Sequence, residues 1–289
     1  MRWIISLCLL CVMVNISCSE ELPGQQPFPM YDHIVVVFME NHDYATMVDT
    51  SAAAYIHQLM SDPNTANFTR SYALGHPSQP NYIMFFSGDN QGVTTNDKPV
   101  SSFTTPNLAA QLVDEGFTFV TYSEGLPYPG YDGEIFERYV RKHNPVTNWM
   151  GPKRNQVDSA LNQPFTAFPT DFNELPTVSF VIPNLDNDMH DGSIAQGDAW
   201  LKTFFEPYIE WAKTHNSLFI LTFDEGSYAE DGDHIITTFT GQHIIGGDYN
   251  EIINHYNVLR TLQDIYNLPH SGNTKTHYPI LSVFEEKER

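Results

Sequence analysis

Cysteine is almost missing from this sequence: Cys8, Cys11 and Cys18 are the three it has, and all fall within the first 18 residues. The rest of the chain has no thiol for a structural disulfide or a thiolate metal site. Basic residues are scarce too, with 14 Lys and Arg against 35 Asp and Glu and a formal net charge of -21. Without a cationic surplus to replace phosphate counterions, the composition argues against nucleic acid as a bound partner. An anionic substrate would need local cations to cancel that field at its site. Internal repeats and low-complexity tracts are lacking as well. What is present is apolar material: 41% hydrophobic and 13% aromatic residues in 289. That is enough for one large α/β domain with a sizeable core, and too little for two independent domains.

The cysteine-bearing segment has a basic start at Arg2, an apolar run from Trp3 to Val14, and small residues at Ser17 and Ser19. This is the three-part pattern of a secretory signal, too short and poorly flanked for a spanning helix. Val14 to Glu21 also resembles a loose bacterial lipoprotein cleavage site in which Cys18 becomes the acylated first residue, although Asn15 stands where Leu is usual. Two readings stay open, an acyl anchor to a membrane through Cys18 or simple cleavage near Ser19. Both make the protein an exported one: periplasmic, held at the cell surface as a lipoprotein, or secreted. The expected organisation is a signal over 1–18, a tether over 19–30 and a folded domain over 31–289.

The remaining chain alternates strand and helix patterns. His33 to Met39 is an apolar, β-branched run of the buried parallel-strand type, and Phe117–Tyr122, Thr177–Ile182, Ser217–Phe223 and Ile235–Phe239 also read as strands. Helices are expected over 51–60, after Ser78, over 106–115 with Gly116 as the stop, over 198–215 and over 251–266. Such alternation predicts an α/β fold, a mainly parallel sheet with helices on both faces. The Pro-, Gly- and Asn-rich stretch over 123–172 is too long for an ordinary connection and reads as a substrate-facing insertion.

Polar residues collect where these strands end. The first strand runs into Glu40-Asn41, the 177–182 strand into Pro183-Asn184, and the 217–223 strand into Asp224-Glu225. In open parallel sheets ligands bind at that edge. The two carboxylate-bearing pairs would repel unless a cation lay between them, and oxygen ligands suit a hard divalent ion without excluding zinc. Taken singly, each pair is as well explained by capping of a helix or turn. Ser78 is equally two-sided. Followed by Gln79-Pro80-Asn81 and an apolar run, it reads as a helix N-cap; the same geometry would also set a hydroxyl beside N–H groups and a positive dipole end suited to phosphate.

Several short motifs then occur in one order: Phe38-Met39-Glu40-Asn41-His42, His76 to Tyr82, Lys142-His143-Asn144-Pro145, Pro183 to Asp191, Thr222-Phe223-Asp224-Glu225, and His255 to Thr261 before Leu268-Pro269. Together they resemble the phosphoesterase family of acid phosphatases and phosphatidylcholine-type phospholipases C, a branch of the alkaline phosphatase superfamily, over roughly Tyr31 to Pro269. The resemblance implies a three-layer α/β/α sandwich of alkaline phosphatase type. It implies that Glu40, Asn41, Ser78, Asp224 and Glu225 surround one divalent metal. Ser78 would be the nucleophile of a phosphoserine intermediate, and His143 and His190 would bind the phosphate and protonate the leaving group. Protonated histidines would account for an acidic optimum. Asn96, in a segment similar to one in nucleotide pyrophosphatases, would contact phosphate, and Lys142 would offset the acidic field. Asp186, Asp188 and His190 offer a second metal set, left open because Glu225 stands where two-metal enzymes usually have histidine.

The leading expectation is an exported, metal-dependent phosphomonoesterase acting on a small phosphate ester. A phosphodiesterase or phospholipase C on the same scaffold is the nearest alternative, since fold and nucleophile do not separate the two. The phospholipases are usually longer, which favours the monoesterase. An alternative of another class is a surface lipoprotein that binds metal or phosphate without catalysis.

Overall fold

The computed structural model describes residues 28–227 and 232–285. The signal segment, Cys18 and most of the tether lie outside the described residues. In chain order the elements are β1 (His33–Met39), α1 (Tyr44–Asp49), α2 (Ala54–Met60), β2 (Thr65–Phe68), β3 (Ser71–Tyr72), α3 (Ser78–Ser87), α4 (Leu108–Asp114) and β4 (Phe119–Ser123). There follow β5 (Ile135–Phe136), β6 (Tyr139–Val140), β7 (Asn162–Pro164), β8 (Val178–Ile182), α5 (Ile194–Ala212) and β9 (Ser217–Phe223). The chain ends with β10 (His234–Ile235), β11 (Thr237–Gly241), β12 (Gly247–Tyr249), β13 (Ile253–Asn254) and α6 (His255–Ile265).

The main sheet has eight strands in the order β12-β2-β11-β9-β1-β8-β4-β7. Pairing is parallel from β9 through β1, β8 and β4 to β7, and β11 runs antiparallel to both its neighbours. Because Met39 of β1 lies opposite Phe223 of β9, Glu40 and Asp224 leave the sheet side by side. Strand periodicity sends alternate side chains to opposite faces. Ile34, Val36 and Phe38 enter one core with α3, α4 and α6, while Val35, Val37 and Met39 enter another with α2 and α5. Two apolar layers on one sheet make the α/β/α sandwich.

Sequence and structure part at the short elements. The run 235–239 is two strands rather than one: β10 pairs with β3 in a separate three-stranded sheet, and β11 joins the main sheet. The fourth expected helix begins at Ile194 instead of 198, because the Ser193 side chain accepts the Gln196 N–H and caps it there. Asp198, inside that helix, is buried and accepts the Tyr55 and Ile56 N–H groups at 2.9 Å each, which holds the start of α2. The 123–172 stretch is not wholly irregular; it holds the β5–β6 hairpin, the edge strand β7 and several 3-10 turns.

Helix α3 is buried along its whole length. Pro80 is tolerated because it sits in the first turn, where N–H groups have no intrahelical partner. Gly88 stops the helix in the left-handed conformation (φ 81°), and its N–H returns to the Met84 carbonyl at 2.8 Å. Phe85 and Phe86 of this helix, together with Phe38 and Phe119, all contact Phe180 at ring separations of 5.2–5.8 Å. Phe180→Ala should therefore lower stability by about 3–5 kcal/mol, the range for emptying an aromatic core position. A urea midpoint within experimental error of wild type would contradict this packing.

Candidate active site

Ser78 is the first residue of α3, and Pro77 occupies the cap position without a side-chain bond. The serine is thus not a helix cap, which corrects the simpler of its two readings. Its buried hydroxyl turns away from the helix, with Oγ 3.2 Å from Glu40 Oε2 and 3.3 Å from Glu225 Oε1. One hydroxyl proton serves one of these carboxylates at a time.

Glu40 is fully buried, and its backbone N–H donates to Asp188 O at 2.8 Å. Tyr82, one turn along α3 from Ser78, donates its phenol to Glu40 Oε1. Asn41 takes a positive φ of 58°, which Asn tolerates better than most residues, and its N–H reaches Asp224 Oδ1 at 3.3 Å. Glu225 Oε2 accepts from Asn81 Nδ2 at 3.2 Å and lies 3.1 Å from His76 Nδ1, whose other ring nitrogen is 2.5 Å from Asp233 Oδ1. The sequence alone assigned no role to His76, Asn81 or Tyr82, and Asp188 entered only with the second metal set. The signal available was that the first three lie within four residues of Ser78; Asp188 lay in the Pro183–Asp191 motif.

His143 closes a 3-10 turn over Arg141–His143 and is wholly buried, its ring stacked on Tyr82 at 5.3 Å. Its nitrogens lie 3.3 Å from Glu40 Oε1 and 3.2 Å from Asp188 Oδ2, though neither makes a well-aligned hydrogen bond. His190 is more open. Its Nδ1 is 2.7 Å from Asp191 Oδ1, and its Nε2 is 3.2 Å from Lys142 Nζ. Asn96 lies next to the nucleophile turn: its Oδ1 accepts the Gln79 N–H at 3.1 Å and so caps the first turn of α3. Asp186 turns to Arg138 at 2.7 Å, and among the described residues it does not assemble with Asp188 and His190 into one metal cluster.

Four carboxyls in a dry space repel. Burial pushes Glu40 well above the usual carboxylate range, with Asp224 and Asp188 adding to it, and burial does the same to Asp188. Asp224, through burial and its neighbour Glu225, rises to about 7; Glu225, through burial, also rises to about 7. Burial likewise holds His143 well below its ordinary range, so its resting form is neutral. Asp191 is held low by its bonds to His190 and Arg138 and stays ionised as the partner of His190.

The donor set fits a divalent cation. Asn41 Oδ1 and Asp224 Oδ2 are buried without hydrogen-bond partners, an unfavourable state that a cation would relieve. A second grouping overlaps it: Glu40, His143 and His190 offer ligand atoms within 4.8 Å of one another. The two groupings share Glu40 and differ in chemistry, oxygen-rich against nitrogen-rich.

Comparison with known proteins decides the lineage. The model of the Phosphoesterase family matches residues 50–269. The chain belongs to the phosphoesterase family. Its members are hydrolases of phosphoric esters. The chain is 44% identical over 261 residues to a phosphatidylinositol-3-phosphatase of Mycobacterium tuberculosis, covering 89% of this chain and 84% of that one. It is 27% identical over 270 residues to the phosphate-repressible acid phosphatase of Penicillium chrysogenum, covering 89% of this chain but only 64% of that one. Among solved structures, a protein of the alkaline phosphatase superfamily from Vibrio parahaemolyticus superposes with a TM-score of 0.58 at 12% identity, covering 86% of this chain and 71% of that one. The C-terminal periplasmic domain of EcEptC from Escherichia coli gives 0.58 at 10% identity over 91% of this chain and 90% of that one. The fold is therefore that of the alkaline phosphatase superfamily.

The carboxyl cluster of this phosphoesterase has a consequence for stability. A carboxyl whose folded pKa is raised keeps its proton while the unfolded chain, titrating near about 4, releases it. Stability is then full below about pH 4 and falls as pH rises towards about 7, by at most about 1.4 kcal/mol per unit for each such carboxyl. With chelator present, the urea midpoint at about pH 7.5 should lie clearly below that at about pH 5, and a divalent ion should restore it. Equal midpoints with no response to the ion would show that the cluster is not under this strain.

Proposed function

We propose that the chain is an exported, metal-dependent phosphomonoesterase of acid phosphatase type that works through a phosphoserine intermediate. The observation that carries this reading is the Ser78 hydroxyl lying between Glu40 and Glu225 at the mouth of a buried carboxyl cluster. Two of the relatives support the monoester side of the choice, one being named a phosphatidylinositol-3-phosphatase and the other an acid phosphatase.

Glu40, Asn41, Ser78, Asp224 and Glu225 would hold one divalent ion. When bound, it would favour the ionised serine and neutralise charge on the phosphate. The oxygen set is preferred because two of its carboxylates, Glu40 and Glu225, lie 3.2 and 3.3 Å from the Ser78 hydroxyl. That leaves His143 and His190 for the ester. In the reaction, Ser78 Oγ forms a bond to phosphorus, its proton passing to the adjoining carboxylates, as the bond to the alcohol oxygen breaks. His190, oriented through Nδ1 by Asp191, gives a proton to the departing alkoxide, and water then hydrolyses the phosphoserine to free phosphate. Lys142, beside His190, sets a positive charge where the anionic ester enters. Export rests on the leader, with Arg2, the apolar run to Val14, and Cys18 or Ser19 at the cleavage point; mass spectrometry of the mature N-terminus tests it.

Purified protein with p-nitrophenyl phosphate and its bis-ester, each with and without chelator, tests the activity. Turnover of the monoester that chelator abolishes is expected; preference for the bis-ester would favour the diesterase, and no turnover with any divalent ion would favour a binder. Ser78→Ala should reduce turnover to background while keeping the fold, and His190→Ala should cost about 100-fold or more. Full activity in Ser78→Ala would remove the serine from the mechanism. Metal analysis separates the two donor sets: Asp224→Ala should lose the ion and His143→Ala retain it, and the reverse would assign it to the nitrogen-rich grouping.

A further inference from the structure

His190 sits in the loop between β8 and α5, with no helix or strand to carry it. It still reaches the carboxyl cluster: Glu40, His143 and His190 offer atoms within 4.8 Å of one another, and the His143 and His190 rings are 5.7 Å apart. A side chain on a loop keeps such a position only when other groups support it. Part of the support is local. Met189 has a φ of 78°, a left-handed conformation that a bulky residue rarely takes. Burial keeps it there, since Met189 packs over Gly197 of α5, where a Cβ would come within 2.5 Å of Met189 Cγ. The His190 N–H is bonded to Asp188 Oδ1 at 2.7 Å. These contacts set the backbone at His190 but not the direction of its ring.

The ring is set from the β5–β6 hairpin. His190 Nδ1 lies 2.7 Å from Asp191 Oδ1, and the other oxygen of Asp191 accepts from Arg138 Nη2 at 2.7 Å. The same nitrogen is 2.7 Å from Asp186 Oδ1, so its two N–H groups serve one carboxylate each. Arg138 belongs to the turn between β5 and β6, and its carbonyl accepts the Leu185 N–H at 3.1 Å, while the Asp191 N–H returns to Leu185 O at 2.9 Å. Asp186 and Asp191 thus flank one guanidinium nitrogen, and without it the two carboxylates would repel. Just beyond β6, Lys142 Nζ meets His190 Nε2 at 3.2 Å. One short segment therefore addresses both imidazole nitrogens, Nδ1 through Asp191 and Nε2 directly.

We propose that Arg138 is a positioning residue for leaving-group protonation: by holding Asp191 it keeps the His190 imidazole aimed at the departing oxygen. The inference rests on the phosphomonoesterase reading and adds a residue to which that reading gave no part. It also gives the 123–172 insertion a task, since its hairpin supplies the arginine. The side chains of Arg138 and Asp186 are 40% exposed and that of Asp191 43%, and pairs so open to water contribute little to stability. Removal of the arginine is then felt in the chemistry rather than in the fold.

The test compares kcat/KM for butyl phosphate, whose alkoxide needs a proton to leave, with p-nitrophenyl phosphate, whose phenolate needs it far less. Misplacing a reacting group by about 1 Å can cost about 100-fold. Arg138→Met should therefore lower the butyl ester about tenfold or more beyond its effect on the nitrophenyl ester, with the urea midpoint close to wild type. Arg138→Lys, which keeps a charge between the two carboxylates, should recover part of that loss. His190→Ala should show the same bias more strongly, and in an Asp191→Ala background Arg138→Met should cost nothing further, because both changes break one relay. Equal losses on the two esters, no loss on either, or a full additional loss in the Asp191→Ala background would overturn the role of Arg138 and leave the phosphatase reading standing. Absence of turnover of both esters by the wild-type protein would overturn both.

Discussion

Parallel strands deliver their carboxyl ends to one edge, and here β1 and β9 end in register, so that Glu40 and Asp224 emerge as neighbours. Everything distinctive about the site follows from that juxtaposition. Neither group has water to solvate it, since both are fully buried. The backbone around them is used up in holding them: Asp224 N–H bonds Met39 O, Glu40 N–H bonds Asp188 O, and Asn41 N–H bonds Asp224. Side-chain oxygens are then left over without donors, and the surplus is acceptor capacity concentrated around one serine. Like charges at this spacing are tolerated either by retaining protons or by admitting a cation.

Helix α3 is the second requirement, because it fixes the serine against the cluster. A helix buried on every side is positioned by packing rather than by amphipathic pattern. Its apolar side chains bind it to the sheet through Phe38 and Phe180, and its first turn is pinned from outside by Asn96 and the Gln79 side chain, which donates to Thr95 O and Asp97 O at 2.9 and 2.8 Å. Tyr82 and Asn81 then reach from the same helix to Glu40 and Glu225. Ser78 and the two glutamates are thereby tied to one rigid element, the kind of support that keeps side chains in a fixed geometry.

Legibility in the sequence followed length and periodicity. The central strands β1 and β9 match their expected ranges residue for residue, because a seven-residue β-branched or aromatic run between turns has few other uses. The strands β2, β7 and β12 went unread, having only three or four residues each and Asn, Pro, Gly or Asp among them. Ser78 was ambiguous on local grounds, since Ser before Gln-Pro-Asn fits a cap as well as a nucleophile; the fold removes the cap reading by placing Pro77 at that position. The roles of His76 and Asp188 were illegible for a related reason. Each acts on a residue far away in the chain, and no spacing rule connects positions 76 with 225 or 188 with 40.

Charge is the remaining difficulty that composition raised, since a chain of net charge -21 must admit an anionic ester. The answer is a short cationic run, Arg138, Arg141 and Lys142, in the hairpin and the turn after it. Two of these are engaged elsewhere: Arg138 holds Asp186 and Asp191, and Arg141 is bound to Asp132 at 2.6 Å and to Asn148 and Thr147. Lys142 is the cation whose field reaches inward, and it opposes the rise in the pKa of Glu40, Asp188 and Glu225 alike. The arginines keep the loop in place through paired, geometrically fixed contacts, as guanidinium groups do best. The lysine, a compact charge on a flexible stem, is left to face the carboxylates. Its position one residue before His143 therefore matters more than the overall charge, because a field acts over a few ångströms inside a low-dielectric pocket and is screened beyond it.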